Sequence, residues 1–247
     1  NVNRIFKDKD RAFSIPAQIK PNNSSFLHID RISKDLNSAK KPILLIGSQA
    51  MLSTHQSISL VEAVKRLNIP TYVSGMARGL LAGSEMPIYR HSRKKALRES
   101  DGVILAGVPV DFRLDYGRHI NHKAAIVSIN LSKKDLNRNR KPHKAILADP
   151  SMFLISLSEK YKGYEWKDWH RTLVDRDQQR QDIILNQSAV KTEFINPLKI
   201  CTAIDKHTKK GDIIIADGGD FVATASYIIR PCSLGGWLDP GVFGTLG

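Results

Sequence analysis

The chain of 247 residues is 41% hydrophobic and 25% charged, which are values typical of globular proteins and exclude a chain that is disordered or fibrous throughout. Its 38 Lys and Arg residues outnumber its 24 Asp and Glu residues and give a net charge of +14. This charge favours an anionic partner but does not choose between nucleic acid, a membrane surface and a polyanionic ligand. The two cysteines, Cys201 and Cys232, exclude a disulfide framework and have no metal-binding spacing.

Residues 1–40 are polar and are predicted to be a linker that ends in a short helix near Ile29–Ala39. In residues 41–162, short β-rich runs alternate with helical stretches, which predicts a middle α/β domain whose parallel sheet is buried on both faces. The apolar spacing of its first long helix predicts a packing face formed by Ile58, Val61, Val64 and Leu67. The predicted elements, in chain order, are Pro42–Gly47, Gln56–Leu67, Pro70–Ser74, Arg90–Glu99, Gly102–Gly107, Ala124–Asn130, Lys144–Leu147 and a helix after Asp149.

The polar stretch of residues 163–195 is predicted to be a helical connector that Trp166 and Trp169 attach to a domain. Residues 196–247 then begin a second α/β domain. The dipeptide Asn196-Pro197 is typical of a helix start, because Asn caps free N–H groups and Pro suits the first helical position.

The predicted fold is therefore a three-layer, Rossmann-like α/β domain followed by the truncated start of a second α/β domain. A strand is predicted at Asp212–Ala216 in this second part. Because the chain begins with Asn1 and ends at Gly247 inside a glycine-rich run, we expect it to be a fragment of a longer protein.

The most informative local pattern is this strand, followed by the turn Asp217-Gly218-Gly219-Asp220 and a predicted helix. Glycines let a backbone approach a ligand closely, and a helix N-terminus offers free N–H groups to a phosphate. An ordinary structural turn is the alternative.

Residues 237–247, WLDPGVFGTLG, add the decisive motif. Together with the glycine turn, this segment resembles the cofactor-binding domain of thiamine-diphosphate enzymes, in the acetolactate synthase-like branch that includes 2-hydroxyacyl-CoA lyases. Three upstream runs extend the resemblance over most of the chain from about Lys40: Lys41–Ala50, Gly75–Leu81 and Leu131–Pro142.

The resemblance implies that Gly244, Thr245 and Leu246 contact the thiamine cofactor. The carbonyl of Gly244 would accept a hydrogen bond from the aminopyrimidine, and Leu246 would hold the cofactor bent, which brings its imino group close to C2. The side of this site near the diphosphate and substrate would be lined by Asp217, Gly218, Gly219 and Asp220. Which of the two aspartates faces the site stays open.

The catalytic glutamate and the Mg²⁺ ligands of the family are expected outside this chain. We therefore expect no catalytic residue and no metal ligand within it, and no turnover by the chain alone. The cofactors implied for the complete protein are thiamine diphosphate and Mg²⁺.

Related middle domains bind FAD, an adenine nucleotide or CoA, so the resemblance also implies a nucleotide site at the carboxyl ends of the strands. The candidate residues are Gly47, Ser48, Gln49, Arg78, Arg113 and Asn130. Arg113 offers a planar fork to phosphate. Asn130 stands where relatives often carry an acidic residue for a ribose hydroxyl, and no GxGxxG follows the first strand. An empty, vestigial site is the alternative.

The implied reaction is that of a 2-hydroxyacyl-CoA lyase, which cleaves its substrate to an aldehyde and formyl-CoA. The alternatives are acetolactate synthase-type decarboxylation and carboligation of 2-oxo acids, and a nucleotide-binding module without thiamine chemistry. The basic clusters Arg90–Arg98 and Lys133–Lys144 lack interleaved aromatic residues. We interpret them as solvated faces, with contact to an anionic lipid or a CoA phosphate as the alternative, and expect no nucleic-acid partner.

For the complete protein, the resemblance implies a homodimer or tetramer that acts on a small molecule. It also implies attachment to the endoplasmic reticulum membrane through a segment before Asn1. A cytoplasmic or peroxisomal location is the alternative.

Overall fold

A computed structural model of the protein describes residues 29–161 and 164–239. The strands of this part are β1 Pro42–Ile46, β2 Thr71–Val73, β3 Gly102–Ala106, β4 Ala125–Asn130, β5 Lys144–Leu147, β6 Ile214–Ile215 and β7 Trp237–Leu238. Its α-helices are α1 Ile29–Ser38, α2 Ser57–Leu67, α3 Arg93–Glu99, α4 Lys133–Leu136, α5 Pro150–Lys160, α6 Lys167–Ser188, α7 Pro197–His207 and α8 Gly219–Ile228. None of these helices has the length and apolar character needed to cross a membrane.

Strands β1 to β5 form one parallel sheet in the order β2-β1-β3-β4-β5. The side chains of Ile43, Leu44, Leu45 and Ile46 are all 0% exposed. Because successive side chains of a strand point to opposite faces, this burial means that both faces of the sheet are covered. The predicted α/β fold with a parallel sheet is confirmed. The strand order reverses between β1 and β3, where open α/β sheets place ligands at the carboxyl ends of the strands.

Helix starts in the chain follow the local sequence. Asp149 accepts a hydrogen bond from the N–H of Ser151 at the start of α5, and Asn196 accepts one from the N–H of Leu198 at the start of α7. A proline follows each of these caps, where its missing N–H costs no hydrogen bond. The start of α7 predicted from Asn196-Pro197 is therefore confirmed.

The predicted packing face of α2 is partly wrong. Ile58 is 73% exposed, whereas Val64 and Leu67 are fully buried together with Leu60. Nine residues separate Ile58 from Leu67, which corresponds to about two and a half helical turns and places the two side chains on opposite sides of the helix.

The helix predicted near Ile29–Ala39 is present as α1. Its residues Ile29, Ile32 and Leu36 belong to the same buried cluster as the sheet. This helix therefore packs on the first domain. The boundary placed at residue 41 stays a prediction.

The predicted connector is the 22-residue helix α6, and the two tryptophans at its start attach it to the first domain. The indole N–H of Trp166 donates to the carbonyl of Ala39 at 2.8 Å, and that of Trp169 donates to the carbonyl of Pro42 at 3.0 Å. Both side chains are buried in the main core. The attachment therefore combines apolar burial with satisfied polar groups.

Residues 197–239 form a smaller unit with its own buried cluster, which we call the second unit. Strands β6 and β7 pair in parallel, and the strand predicted at Asp212–Ala216 is shortened to Ile214–Ile215. Ile184 of α6 is buried in this second cluster, whereas Leu173 of the same helix is buried in the first. The helix α6 therefore belongs to both cores.

Candidate cofactor and anion sites

The loop after β1 is in direct contact with the loop after β3 at the point where the strand order reverses. A Cβ atom on Gly47 would lie 2.5 Å from the carbonyl oxygen of Gly107 and 2.6 Å from a methyl group of Val108. Only glycine fits this approach, so the close contact between the two loops explains Gly47.

Ser48 connects the same loop to the loop after β2. Its hydroxyl oxygen accepts a hydrogen bond from the N–H of Met76 at 3.1 Å. Gly75 has φ +57°, and a Cβ there would overlap the Ser48 hydroxyl. The Ser48 hydroxyl oxygen, which was predicted to contact a nucleotide, thus already accepts one hydrogen bond that joins two loops.

Gln49 and Asn130, which were both predicted to be nucleotide residues, are brought together by the fold. The Gln49 side-chain amide donates to Asn130 Oδ1 at 3.0 Å, and Gln49 Oε1 accepts from the N–H of Leu131 at 3.0 Å. Asn130 Oδ1 also accepts from the N–H of Ser132 at 2.8 Å, and this backbone donor fixes the orientation of the Asn130 amide. Asn130 is fully buried, and its Nδ2 has no hydrogen-bond partner among the described residues. Asn130 therefore retains a donor for a ligand, whereas an acidic residue at this position would offer an acceptor.

Arg113 lies at the same edge and is paired within its own loop. Its guanidinium forms a two-pronged ion pair with Asp111, with Nη2 to Oδ2 at 2.6 Å and Nε to Oδ1 at 3.0 Å. The backbone N–H of Arg113 donates to the same carboxylate. Much of the positive charge predicted for nucleotide binding is thus neutralised locally.

Arg78, the last of the predicted nucleotide residues, points away from this edge toward the second unit. Its guanidinium carbon lies 5.8 Å from the ring centre of Trp237, and Nη1 donates to the carbonyl of Ser226 at 3.4 Å. Its Nε is buried without a hydrogen-bond partner in the described part of the chain. Burial lowers the pKa of Arg78 to about 10, which still leaves the side chain positively charged near neutral pH.

Between the first domain and the second unit lies a cavity of about 980 Å³, which we call the interdomain cleft. This volume is at the upper end of the range typical of small-molecule sites. Cationic side chains line both of its walls: Arg78, Arg90, Arg93, Lys94, Lys206 and Arg230. Tyr72, Tyr89 and Tyr227 add aromatic surface.

Carboxylates outside the lining offset part of this charge, because Asp177 opposes the lowering of the Arg90 pKa by burial and Asp111 opposes that of Arg93. Among the described residues that line the interdomain cleft, Asp205 is the one carboxylate, and its oxygens accept from Arg230 Nε at 3.0 and 3.1 Å. Burial lowers the pKa of Arg93, and the neighbouring cation Arg113 lowers it further. Arg78, Arg90 and Arg93 are half-buried, whereas Lys94, Lys206 and Arg230 are exposed. A cluster of cations along one cavity attracts a ligand with several negative charges.

The interpretation of Arg90–Arg98 as a solvated face is wrong for two of its members, because Arg90 and Arg93 are half-buried and line the interdomain cleft. Sequence reasoning also missed Lys206 and Arg230. One signal was present in the sequence: Arg93 begins α3, where the helix dipole disfavours positive charge. No signal in the sequence indicated that cations of the second unit would line the interdomain cleft, because their position depends on tertiary structure.

The predicted thiamine-diphosphate turn lies at the start of α8. We use the name glycine turn for Asp217, Gly218 and Gly219. Gly218 is the extended N-cap residue, and Gly219 has φ +69°, with no described atom within 4 Å of the position that a Cβ would occupy. This backbone conformation favours glycine and leaves open space beside the first free N–H groups of a ten-residue helix. The arrangement fits a diphosphate.

The other residues predicted for the thiamine site give no further observation on how the cofactor would be bound. Asp217 is exposed and has an interaction partner. The side chain of Asp220 and the residues Gly244, Thr245 and Leu246 lie outside what the structure describes. Within residues 29–161 and 164–239, no group of three or more His, Cys, Asp or Glu side chains is arranged to hold a metal ion.

Comparisons with known proteins agree with the α/β fold of the first domain. Residues 29–157, more than half of the chain, match the family model described as the thiamine pyrophosphate enzyme central domain. A protein named 2-hydroxyacyl-CoA lyase 2 from Xenopus laevis is 41% identical, over 94% of this chain and 38% of the relative. The protein of the same name from Homo sapiens is 35% identical, over 89% of this chain and 36% of the relative.

A probable acetolactate synthase from Mycobacterium bovis is 25% identical, over 89% of this chain and 40% of its own length. The chain thus spans well under half the length of the curated relatives that it matches. The predicted family resemblance is confirmed, and the chain belongs to the thiamine pyrophosphate enzyme family, with the central domain of that family at residues 29–157.

Proposed function

We propose that the complete protein is a thiamine-diphosphate-dependent and Mg²⁺-dependent 2-hydroxyacyl-CoA lyase. Relatives with that name are 35–41% identical to the chain, compared with 25% for the acetolactate synthase relatives. The observation that carries the proposal is the interdomain cleft, whose cationic lining suits the phosphate groups of an acyl-CoA better than a small 2-oxo acid.

In the proposed reaction, the bond between C1 and C2 of a 2-hydroxyacyl-CoA breaks. The C2 hydroxyl loses its proton as C2 becomes the carbonyl carbon of an aldehyde, and C1 gains a proton and leaves as formyl-CoA. Thiamine diphosphate, when bound, would supply a nucleophilic carbon and an electron sink for the cleaved bond. The backbone N–H groups at the glycine turn would hold its diphosphate.

We place the nucleotide-bearing ligand of the middle domain in the interdomain cleft rather than directly over the carboxyl edge of the sheet. At the edge, Ser48, Gln49 and Arg113 use their polar atoms on neighbouring protein groups. In the interdomain cleft, Arg93 and Lys206 face a cavity large enough for a nucleotide. The shared chemistry of the candidate ligands is a nucleoside with a diphosphate, present in FAD, an adenine nucleotide and CoA.

The test is turnover by the full-length gene product supplied with thiamine diphosphate, Mg²⁺ and 2-hydroxyacyl-CoA thioesters of several chain lengths. We expect equal amounts of aldehyde and formyl-CoA, measured by mass spectrometry, and no product when thiamine diphosphate is omitted. The chain of 247 residues alone should give no turnover. Absence of thiamine-dependent cleavage in the full-length protein would contradict the proposal.

The second candidate is acetolactate synthase-type chemistry, which the relatives at 25% identity favour. In this reaction a 2-oxo acid loses CO₂ and its remaining carbons join a second carbonyl compound. Pyruvate in the same assay distinguishes the two candidates, because CO₂ and acetolactate would appear in place of formyl-CoA.

We further propose that the complete protein forms at least a homodimer and is located at the endoplasmic reticulum membrane. Family resemblance alone supports both proposals. Light scattering of the purified full-length protein tests the first, and microscopy of a fluorescent fusion tests the second, with a cytoplasmic or peroxisomal signal as the contrary result.

A further inference from the structure

Arg90 connects the first domain to the second unit through backbone carbonyls. Its Nη1 donates to the carbonyl of Ile228 at 2.9 Å and to that of Tyr227 at 3.3 Å. Its Nη2 donates to Oε1 of Gln181 at 3.0 Å, so the same guanidinium also binds α6. One side chain therefore joins three parts of the fold.

The two carbonyls that Arg90 binds are at the C-terminal end of α8. The last carbonyls of a helix have no partner within the helix, and a cation there is also favoured by the helix dipole. Arg78 of the first domain reaches the preceding carbonyl, that of Ser226. The end of α8 is therefore held by guanidinium groups that belong to the first domain.

The position of Arg90 is itself fixed from α6. The carboxylate of Asp177 accepts hydrogen bonds from the N–H groups of Arg90 and His91 at 2.8 and 2.7 Å. Tyr89, the preceding residue, has its hydroxyl 2.6 Å from Nδ1 of His170, also on α6. Three consecutive residues are thus tied to one helix, which leaves the Arg90 side chain little freedom.

The opposite end of α8 begins at the glycine turn. A ten-residue helix is about 15 Å long and moves as a rigid rod, so fixing its last turn restricts its first turn as well. We propose that Arg90 is a positioning residue that sets the place of the glycine turn, and hence of the N–H groups offered to the thiamine diphosphate. This inference rests on the proposed function only for the identity of the ligand at the turn.

Arg90 also lines the interdomain cleft, so its role must be separated from that of a general anion-binding cation. Arg93 provides the comparison, because it lines the same cavity but donates to the carbonyl of Arg113 within the first domain. Replacing Arg93 removes one cleft charge and leaves the carbonyl contacts of α8 in place.

The first experiment is hydrogen–deuterium exchange on the 247-residue chain and on three variants. In Arg90→Met we expect exchange in peptides covering both ends of α8, residues 213–229, to be about tenfold faster or more, because hydrogen bonds to a charged donor are lost. Arg90→Lys retains a single donor and should lie between Arg90→Met and the wild type. Arg93→Met should stay within about twofold of the wild type at α8.

Unchanged exchange in Arg90→Met, or a change confined to residues 226–229, would overturn the inference. So would an equal response in Arg93→Met. If Arg90→Met fails to fold, as judged by thermal unfolding, Arg90→Lys gives the decision: faster exchange at residues 213–222 supports the inference, and wild-type exchange there overturns it.

The second experiment uses the full-length protein. In Arg90→Met the apparent KM for thiamine diphosphate should rise about tenfold, while kcat at saturating cofactor changes less than about threefold, and Arg90→Lys should restore part of the affinity. A fall in kcat with unchanged KM would overturn the positioning role. If the wild-type protein shows no thiamine-dependent reaction, the proposed function fails, whereas the exchange experiment still decides the link between Arg90 and the glycine turn.

Discussion

At the carboxyl edge of the sheet, Gln49 is bonded to Asn130 and Arg113 to Asp111, whereas Arg93 in the interdomain cleft lines a cavity of about 980 Å³. Both regions collect polar side chains, at the carboxyl edge from loops that follow strands and in the interdomain cleft largely from helices and helix ends. The difference lies in the surrounding space, because the edge side chains bond to neighbouring loops, whereas the guanidinium groups of Arg90 and Arg93 bond to backbone carbonyls and still line an open cavity. A polar residue that bonds to neighbouring protein groups is therefore a ligand candidate only where it also lines open space.

The largest expected effect is a loss of nucleotide affinity when cations of the interdomain cleft are replaced, compared with a cation at the carboxyl edge. The double variant Arg93→Met/Lys206→Met removes one cation from each wall of the interdomain cleft, and we expect the affinity for ADP or CoA to fall about 100-fold, since each charge-assisted hydrogen bond is worth roughly tenfold. Arg113→Met at the edge should change the affinity less than about threefold. Isothermal titration calorimetry of the 247-residue chain gives both values.

Equal losses of nucleotide affinity in the two variants would contradict the distinction between the regions. Thermal unfolding of each variant is the control for stability, because Arg113→Met leaves Asp111 without its ion pair. FAD, titrated in the same way, shows whether the interdomain cleft selects among nucleotides.

A smaller effect is expected for the contact that joins the edge loops. Gly47→Ala places a methyl group 2.5 Å from the carbonyl oxygen of Gly107, so we expect the free energy of unfolding to fall by about 1–3 kcal/mol, as for other overpacked sites. Gly102→Ala is the matched control, because its nearest contact would be 3.4 Å, to Ala39 Cβ. Urea unfolding compares the two, and similar losses would mean that the contact between the loops is not tight.

The smallest effect concerns pH and the segment that carries Arg90. Burial lowers the pKa of His91, opposed by Asp177, with further shifts from Arg90, Gln181 and Arg180. The unfolded chain then binds the proton more readily than the folded one. The contribution of neutral His91 to stability is thus complete above the ordinary His pKa and declines as the pH falls below it.

We expect the thermal midpoint to decrease between pH 7.5 and 5.5, and His91→Gln to decrease less over the same interval. Because His119 also has a lowered pKa, part of the decrease should persist in His91→Gln. A steeper pH dependence in this variant than in the wild type would contradict the assignment.

Much of the fold could be predicted because its causes are local. The buried strand residues Ile43–Ile46 form a continuous apolar run in the sequence. The helix start at Asn196-Pro197 depends on a hydrogen bond between residues that are close together in the chain. The side of α2 that packs was harder to predict, because apolar spacing alone allowed Ile58 into the core.

The candidate sites, too, could be predicted where their causes are local and could not where they depend on tertiary structure. The edge residues were predicted to lie together, and Gln49 and Asn130 do meet, but their mutual hydrogen bond could not be predicted from either sequence position. The interdomain cleft could not be predicted because Arg93 and Lys206 are far apart in the chain and meet only when the second unit packs on the first domain. The turn conformation at Gly218 and Gly219 could be predicted because it depends on these two glycines themselves, and its role in binding thiamine diphosphate stays a prediction.

The helix α6 is shared by the two buried clusters. It therefore fixes the rotation of the second unit about the helix axis relative to the first domain, which an ordinary linker would not do. Each residue of an α-helix turns the chain by about 100°, so inserting one residue between Leu173 and Ile184 would rotate the second unit by that angle relative to the first domain. Ile184 would leave its core, and the carbonyls of α8 would move away from Arg90. The number of residues in α6 thus sets the rotation of the second unit relative to the first domain.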